Sequence, residues 1–389
     1  MHFANVRRLL SSLAVVALGI SLVAMMSIGC GNNTKNNIAS GEPIKVTVAY
    51  LGLTCEAPIF VAREKGFYAE EGLDAELVRT DWNGLQEGLG TGKFDANHTL
   101  IMYLLKPIEG GTDVKITGGI HTGCLRVQVA KDSPMKSAVE LKGKKIGVPT
   151  RFGSPPHLFA SRVLAASGID PRQQNEGGEV EWVPYPPDVL GKALQDGKID
   201  ALATSDPIGT ILLGKDIVKT IADQATDAPY KDEYCCAAVV SGKLAKNNPV
   251  AAAKVTRALL KGAKWVQENP ELAAKLSVEK EYLPAGTEKI NAEAIGKLNY
   301  IPSVSRCRTS IDQAAEEMKK AHLLKETTDP AALAKRAWLD LPDVTDEWLE
   351  SIKFDKVANG GRPNLLDAAG FAALFEGRKT CCACCCLNP

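Results

Sequence analysis

Eleven cysteines in 389 residues fall into three groups, and each group brings its own chemistry. Cys381, Cys382, Cys384, Cys385 and Cys386 crowd together near the C-terminus. Thiolates are soft ligands for zinc, Cu(I) or iron–sulfur clusters, and adjacent cysteines bridge each other only with strain. The tail therefore points to a soft metal ion, although its spacing matches no paired CxxC zinc motif. In the body, Cys55, Cys124 and the Cys235-Cys236 pair are far apart in sequence, and Cys307 follows. Three cysteines meeting in one cleft would suit a metal complex or a thiol-reactive ligand. A free cysteine also packs well as a small hydrophobe, and an oxidising compartment allows a disulfide, for example Cys124 with one of the pair. Neighbours on a regular strand face opposite ways, so one of Cys235 and Cys236 is expected to face any shared site. The eleventh cysteine, Cys30, belongs to the N-terminal segment.

Other reactive patterns are missing. The five histidines (His2, His98, His121, His157 and His322) show no HExxH spacing, and the chain has neither a GxSxG elbow nor a Walker loop. We therefore expect a protein that is not an enzyme, with no ATPase of its own and no resident organic cofactor. Lys and Arg total 46 against 46 Asp and Glu, a balance without the attraction for nucleic acid that a basic domain has.

The N-terminus sets the expected compartment. Arg7-Arg8 precede an uncharged apolar stretch from Leu9 to Met26, followed by Ser27-Ile28-Gly29-Cys30 and a run of Asn, Thr and Lys. A basic start, an apolar core and small residues before a cleavage point form an export signal. Cys30 after a small residue resembles a bacterial lipobox, with Ser27 where leucine is usual; an uncleaved anchor is the other reading. The expected location is extracytoplasmic, lipid-anchored through Cys30 to a bacterial membrane. Residues 1–29 hold two basic residues and no acid, so the mature chain carries 44 basic against 46 acidic groups, a formal charge of −2.

These chemical groups need a scaffold, and the pattern supplies two α/β units. Residues 44–51 alternate apolar and polar positions as a strand. Residues 57–71 have helical spacing closed by Gly72, residues 75–79 form a second strand and 82–89 a second helix. Residues 94–98 lead to a third strand at a sheet edge. The pattern restarts with a strand at 144–148, a helix from about 157 to 167, strands at 180–184 and 199–203 with a helix between them, a helix at 206–215 and a short strand at 219–222. Such alternation predicts mostly parallel sheets covered by helices. Two long β segments, 115–130 and 233–240, are candidates to cross between the units. From residue 248 onward the pattern is helical.

The phrases APIFVAREKGFYAEEGLDAELV, TGKFDANHTL, ELKGKKIGVP and LQDGKIDALATSDPIG, in this order, resemble the extracytoplasmic solute-binding proteins of ABC importers. The resemblance is to the nitrate/sulfonate/bicarbonate branch, which shares its fold with thiamine-pyrimidine-binding proteins, and covers roughly residues 44 to 280. It implies a two-lobe periplasmic-binding-protein fold (type II-like) with two β crossovers and a helical C-terminal extension. The implied organisation is a signal peptide at 1–29, a polar tether at 30–43, a first lobe at 44–129 plus 237–325, a second lobe at 130–236, a helical extension at 326–380 and the cysteine tail at 381–389. It also implies a monomer that partners a small-molecule ligand, an ABC permease and separate ATPase subunits. Two alternatives remain: a metal or metal-complex binder using cleft and tail cysteines, and a thiamine-pyrimidine-synthase-like enzyme. The export signal argues against the second.

In open α/β sheets ligands sit beyond the carboxyl ends of the strands. That places Thr54 and Cys55 after the first strand, Trp82 at the next helix, His98 and Thr99 after the third strand, Cys124 at the first crossover, Arg151, Gly153 and Ser154 before a helix, and Asp206 after a strand. Gly153-Ser154 at a helix start suggests free N–H groups for an anion. His98 and Trp82 resemble pocket residues of the nitrate/bicarbonate branch. Arg126 and Arg151 are candidate counter-charges, and the ligand class implied is a small anion.

Overall fold

The computed structural model describes residues 41–354, so the Cys30 anchor and the tail cysteines lie outside the described residues. Within them, ten strands make two five-stranded sheets. The first contains β1 (Ile44–Tyr50), β2 (Leu73–Arg79), β3 (Ala96–Leu100), β4 (Val114–Thr122) and, from much later in the chain, β10 (Tyr234–Ser241), in the order β2-β1-β3-β10-β4. The second contains β5 (Leu125–Ala130), β6 (Lys145–Pro149), β7 (Glu181–Tyr185), β8 (Ala201–Ser205) and β9 (Val218–Asp223), in the order β7-β6-β8-β5-β9.

Each sheet is mostly parallel, as expected, and is made mixed by a single antiparallel strand. β1 runs parallel to β2 and β3, whereas β10 is antiparallel to β3 and β4. In the second sheet β6 is parallel to β7 and β8, whereas β5 is antiparallel to β8 and β9. The two antiparallel strands, β5 and β10, are the ones that each crossover delivers. β3 consequently lies in the middle of its sheet and not at an edge; paired on both sides and covered on both faces, all five of its residues are buried. The β segment expected at 115–130 divides at Gly123-Cys124 into β4 of the first sheet and β5 of the second, and the return segment enters the first sheet as β10 at Tyr234.

Helices cover the first sheet through close backbone contact. The helix Pro249–Glu268 lies on the helix Ala57–Glu64, and a Cβ at Gly262 would sit 2.5 Å from the carbonyl oxygen of Pro58. Alanine normally gains up to about 1 kcal/mol over glycine inside a helix. Here the overlap is with backbone, which cannot rotate away, and overpacking costs about 1–3 kcal/mol. Gly262→Ala is therefore expected to lower the thermal midpoint, and a raised midpoint would refute this packing argument. The helices Pro330–Ala337 and Asp346–Ser351 belong to the same body: Trp338 bridges to Ile116 of β4, and Lys264 Nζ donates to the carbonyls of Leu349 and Ile352 at 2.7 Å each. Among the described residues no helix is long and apolar enough to cross a membrane.

One buried charge cluster joins the lobes. Arg162, on the helix Pro155–Ala166, donates to both oxygens of Glu233 at 2.9 and 2.7 Å and to Glu317 Oε2 at 3.0 and 2.7 Å. Glu233 precedes β10, and Glu317 lies on the helix Ser305–Lys320 that packs on the first sheet.

Candidate functional site

The loop after β1 is folded by a single carboxylate. Glu56 accepts backbone N–H bonds from Leu51 at 3.0 Å, Gly52 at 2.8 Å and Leu53 at 2.9 Å. Burial nonetheless pushes its carboxyl up to about 7 against the pull of these donors. The turn they make points Cys55 inward, where it is buried. At the first crossover Gly123 has φ 80° and Cys124 φ 115°. The second value is in the left-handed region that L-residues rarely adopt, and such strain concentrates at functional sites.

The return crossing corrects the expectation for Cys235 and Cys236. The β10–β4 register shifts on both sides of Cys236, and the two sulfurs lie 3.9 Å apart instead of on opposite faces. A bulge breaks the two-residue alternation and re-aims a side chain. Cys236 pairs across the sheet with His121 of β4, and the ligand atoms of Cys55, His121 and Cys236 all lie within 4.8 Å of one another. The five body cysteines are free thiols, so the disulfide considered for Cys124 is not formed. Cys307 is buried apart from this group on the helix Ser305–Lys320.

The surroundings are dry and polar. Cys124 falls well below the ordinary thiol range because the Cys235 and Cys55 thiols donate to it. Cys55 rises well above it through that donation to Cys124, with burial adding to the effect, whereas Cys235 and Cys236 rise chiefly through burial. Burial also lowers His98 and His121, leaving neutral imidazoles. Their rings are 5.2 Å apart, and Tyr300 packs 4.9 Å from His121 while its hydroxyl donates to the Cys55 carbonyl. Both ring nitrogens of His98, Nε2 of His121 and Oγ1 of Thr99 are buried without a hydrogen-bond partner. Buried polar atoms are nearly always paired, so these call for a partner such as an ion, a ligand or a water molecule.

Other expected residues already have partners within the protein. Thr54 donates to Asn291. Asp206 accepts from Arg126 at 2.6 Å and from Thr210, and Arg126 also donates to Asp223 at 2.9 Å, so neither Arg126 nor that Asp206 oxygen is held in reserve. The second Asp206 oxygen is unpartnered.

A second, open site lies between the lobes. A groove of about 680 Å³ is lined by Tyr103 and Lys106 from the first lobe and by Arg151, Gly153, His157 and Arg172 from the second. Arg151 donates to the Tyr103 hydroxyl at 3.0 Å, joining the two lobes, and Trp82 packs against the Tyr103 ring at 4.9 Å. The helix-start reading of Gly153-Ser154 needs correction. The helix opens on Pro155-Pro156, which have no N–H to offer, and the Gly153 N–H already donates to His157 Nδ1 at 3.2 Å. Of the cations lining the groove, Lys106 pairs with Glu109 at 2.8 Å and Arg172 with Asp170 at 2.5 Å, whereas Arg151 is held by the neutral Tyr103 hydroxyl; Glu176 is the acidic residue among the lining. Burial holds His157 neutral, down at about 4. Ser154 Oγ is buried and unpartnered.

The expected residues thus divide between two places. Cys55, His98 and Cys124 gather around the buried cluster, Arg151 and Gly153 line the groove, Trp82 packs behind it on Tyr103, and Thr99 is buried beside His98 on β3. Sequence reasoning missed His121, Tyr300, Lys106 and Arg172 as site residues. His121 stood three positions before Cys124 in His-Thr-Gly-Cys, which was a usable signal; Tyr300 and Arg172 carried none.

Known proteins give this geometry its family. The model of the NMT1-like family matches residues 39–278. The nitrate/nitrite binding protein NrtA of Synechococcus elongatus is 24% identical over a 425-residue alignment covering 93% of each chain. Among solved structures, the periplasmic aliphatic sulphonate binding protein SsuA of Escherichia coli superposes with a TM-score of 0.62 at 17% identity, covering 84% of this chain and all (100%) of that one. The periplasmic nitrate-binding protein NrtA of Synechocystis PCC 6803 gives 0.61 at 19% identity, covering 76% and 86%. These relatives are solute-binding proteins and not enzymes. The chain has their two-lobed periplasmic-binding-protein fold and belongs to the NMT1-like family.

Proposed function

We propose that this protein is the extracytoplasmic solute-binding component of an ABC importer, anchored through Cys30, and that it takes a small anion in the groove between its lobes. The observation that carries the reading is the groove between the lobes in which Arg151 of one lobe is held by the neutral Tyr103 hydroxyl of the other. A solute touching both lobes binds the closed form better than the open one and so shifts the equilibrium toward closure; periplasmic binding proteins are a standard case of such hinge motion. The closed monomer would then hand its ligand to a permease driven by separate ATPase subunits. Relatives named for nitrate and sulphonate support an oxyanion as the ligand class.

Calorimetric titration of the mature protein with nitrate, bicarbonate and a short alkanesulfonate tests this. One of the three is expected to bind, and Arg151→Ala should weaken it by about 10–100-fold, the worth of a charge-assisted hydrogen bond. An unchanged affinity would remove the groove from the proposal.

A further inference from the structure

We propose that Cys55, His121 and Cys236 bind one thiophilic d10 metal ion, Zn(II) or Cu(I), in the buried cluster beside the two crossovers, with Cys124 and Cys235 as neighbouring donors. The three residues come from three separate parts of the fold: the loop after β1, the end of β4 and the start of β10. Their ligand atoms nevertheless converge to within 4.8 Å of one another. Zinc–sulfur and zinc–nitrogen bonds of about 2.3 and 2.0 Å put ligands of a tetrahedral site roughly 3.5–3.8 Å apart. Closing that gap takes side-chain adjustments of about an ångström, with no change of fold.

The donor set selects the class of ion. Two sulfurs and an imidazole are soft to borderline ligands, suited to zinc or Cu(I) and poorly suited to calcium or magnesium. The carboxylate next in sequence to Cys55, that of Glu56, is committed to three backbone N–H groups. Two thiolates and a neutral imidazole around Zn(II) carry no net charge, and a neutral complex is what a dry interior tolerates.

A second observation is independent of the sulfurs. His121 Nε2 and both nitrogens of the adjacent His98 are buried without a hydrogen-bond partner. A neutral imidazole carries one N–H; His121 can hold it on Nδ1 and donate to the Thr122 carbonyl at 3.2 Å, which leaves the Nε2 lone pair free for an ion, whereas His98 has no partner for either nitrogen and costs free energy unless something engages it. Simple packing explains a buried cysteine among aliphatic side chains. It does not explain four thiols facing one another and an imidazole, with one of them on a strained backbone at φ 115°. The β10 bulge that turns Cys235 and Cys236 to the same side adds to the departure from plain core packing.

The test uses the full mature chain with all five tail cysteines changed to serine, which keeps metal bound elsewhere out of the measurement. Reduced, metal-free protein is titrated anaerobically with Zn(II) and, separately, with Cu(I), each against a chromophoric chelator. We expect one equivalent of at least one ion to bind, and binding to fall by at least a hundredfold in Cys55→Ser, Cys236→Ser and His121→Ala. X-ray absorption of the loaded protein with the body residues unchanged does not depend on those variants folding, and should show two or more sulfurs in the first shell. Binding of neither ion, a first shell of nitrogen and oxygen alone, or affinity unchanged in well-folded variants would overturn the proposal. Anion titrations on the same protein report on the groove separately, so failure of either reading is visible on its own.

Discussion

Arg162→Ala is expected to lower the unfolding free energy by about 3–5 kcal/mol, the usual cost of removing one partner from a buried ion pair. The side chains of Arg162 and Glu233 are both fully buried, at 0% exposure, whereas Glu317 keeps 22%. The loss therefore falls mainly on Glu233, whose charge would have neither water nor a counter-ion. Burial raises the Glu233 carboxyl above its ordinary 4.5, with Arg162 pulling against that rise. Without the guanidinium the folded-state value climbs further above the unfolded one, so the folded variant holds a proton that its unfolded chain has released. Its deficit should be smallest near and below pH 4.5 and should grow as pH rises through the folded value. Urea unfolding of both proteins across this range provides the measurement, and a deficit below about 1 kcal/mol at pH 7.5 would show that the cluster is not holding the lobes.

Glu56→Ala should cost about 2–4 kcal/mol through a different mechanism. Its carboxylate is the acceptor for three consecutive amides, those of Leu51, Gly52 and Leu53. Those residues are half-buried, so water replaces part of what is lost, and the estimate stays below three full desolvation penalties. Glu56→Gln keeps one acceptor oxygen and should retain about half of the stability. Hydrogen exchange locates the effect: these three amides should lose protection before β1 does. Equal protection in Glu56→Ala and the unsubstituted protein would mean that the turn is held by something else. Because the same turn aims Cys55, metal affinity should weaken along with the protection.

Much of the architecture was legible in short stretches of sequence. The alternation of IKVTVAY, the helical spacing after Ala57 and the restart at Lys145 each depend on neighbours a few residues apart, and each appears close to its expected place. Gly72 and Gly92 end their segments with positive φ, as glycine allows. The helix at Ile101–Glu109 went unread: its run IMYLLKPIE is nearly all apolar at the start and contains Pro107, so neither periodicity nor composition marks it as helical. The absence of amide donors at Pro155-Pro156 was visible in the sequence and was outweighed by the Gly-Ser pattern before it.

Tertiary structure decided the site. The α/β alternation and the loops that end its strands follow from local chemistry, because turn, helix and strand preferences act over a few residues. The meeting of Cys55, His121 and Cys236 depends on β10 returning between β3 and β4, and no local preference specifies that order. The bulge that places both Cys235 and Cys236 on one side comes from β10 fitting against β4, after two-residue alternation had pointed them apart. Lys106, Arg151 and Arg172 likewise share a groove because two lobes pack together. Contacts between residues tens of positions or more apart are set by the packing of whole sheets, and both proposed sites rest on those contacts.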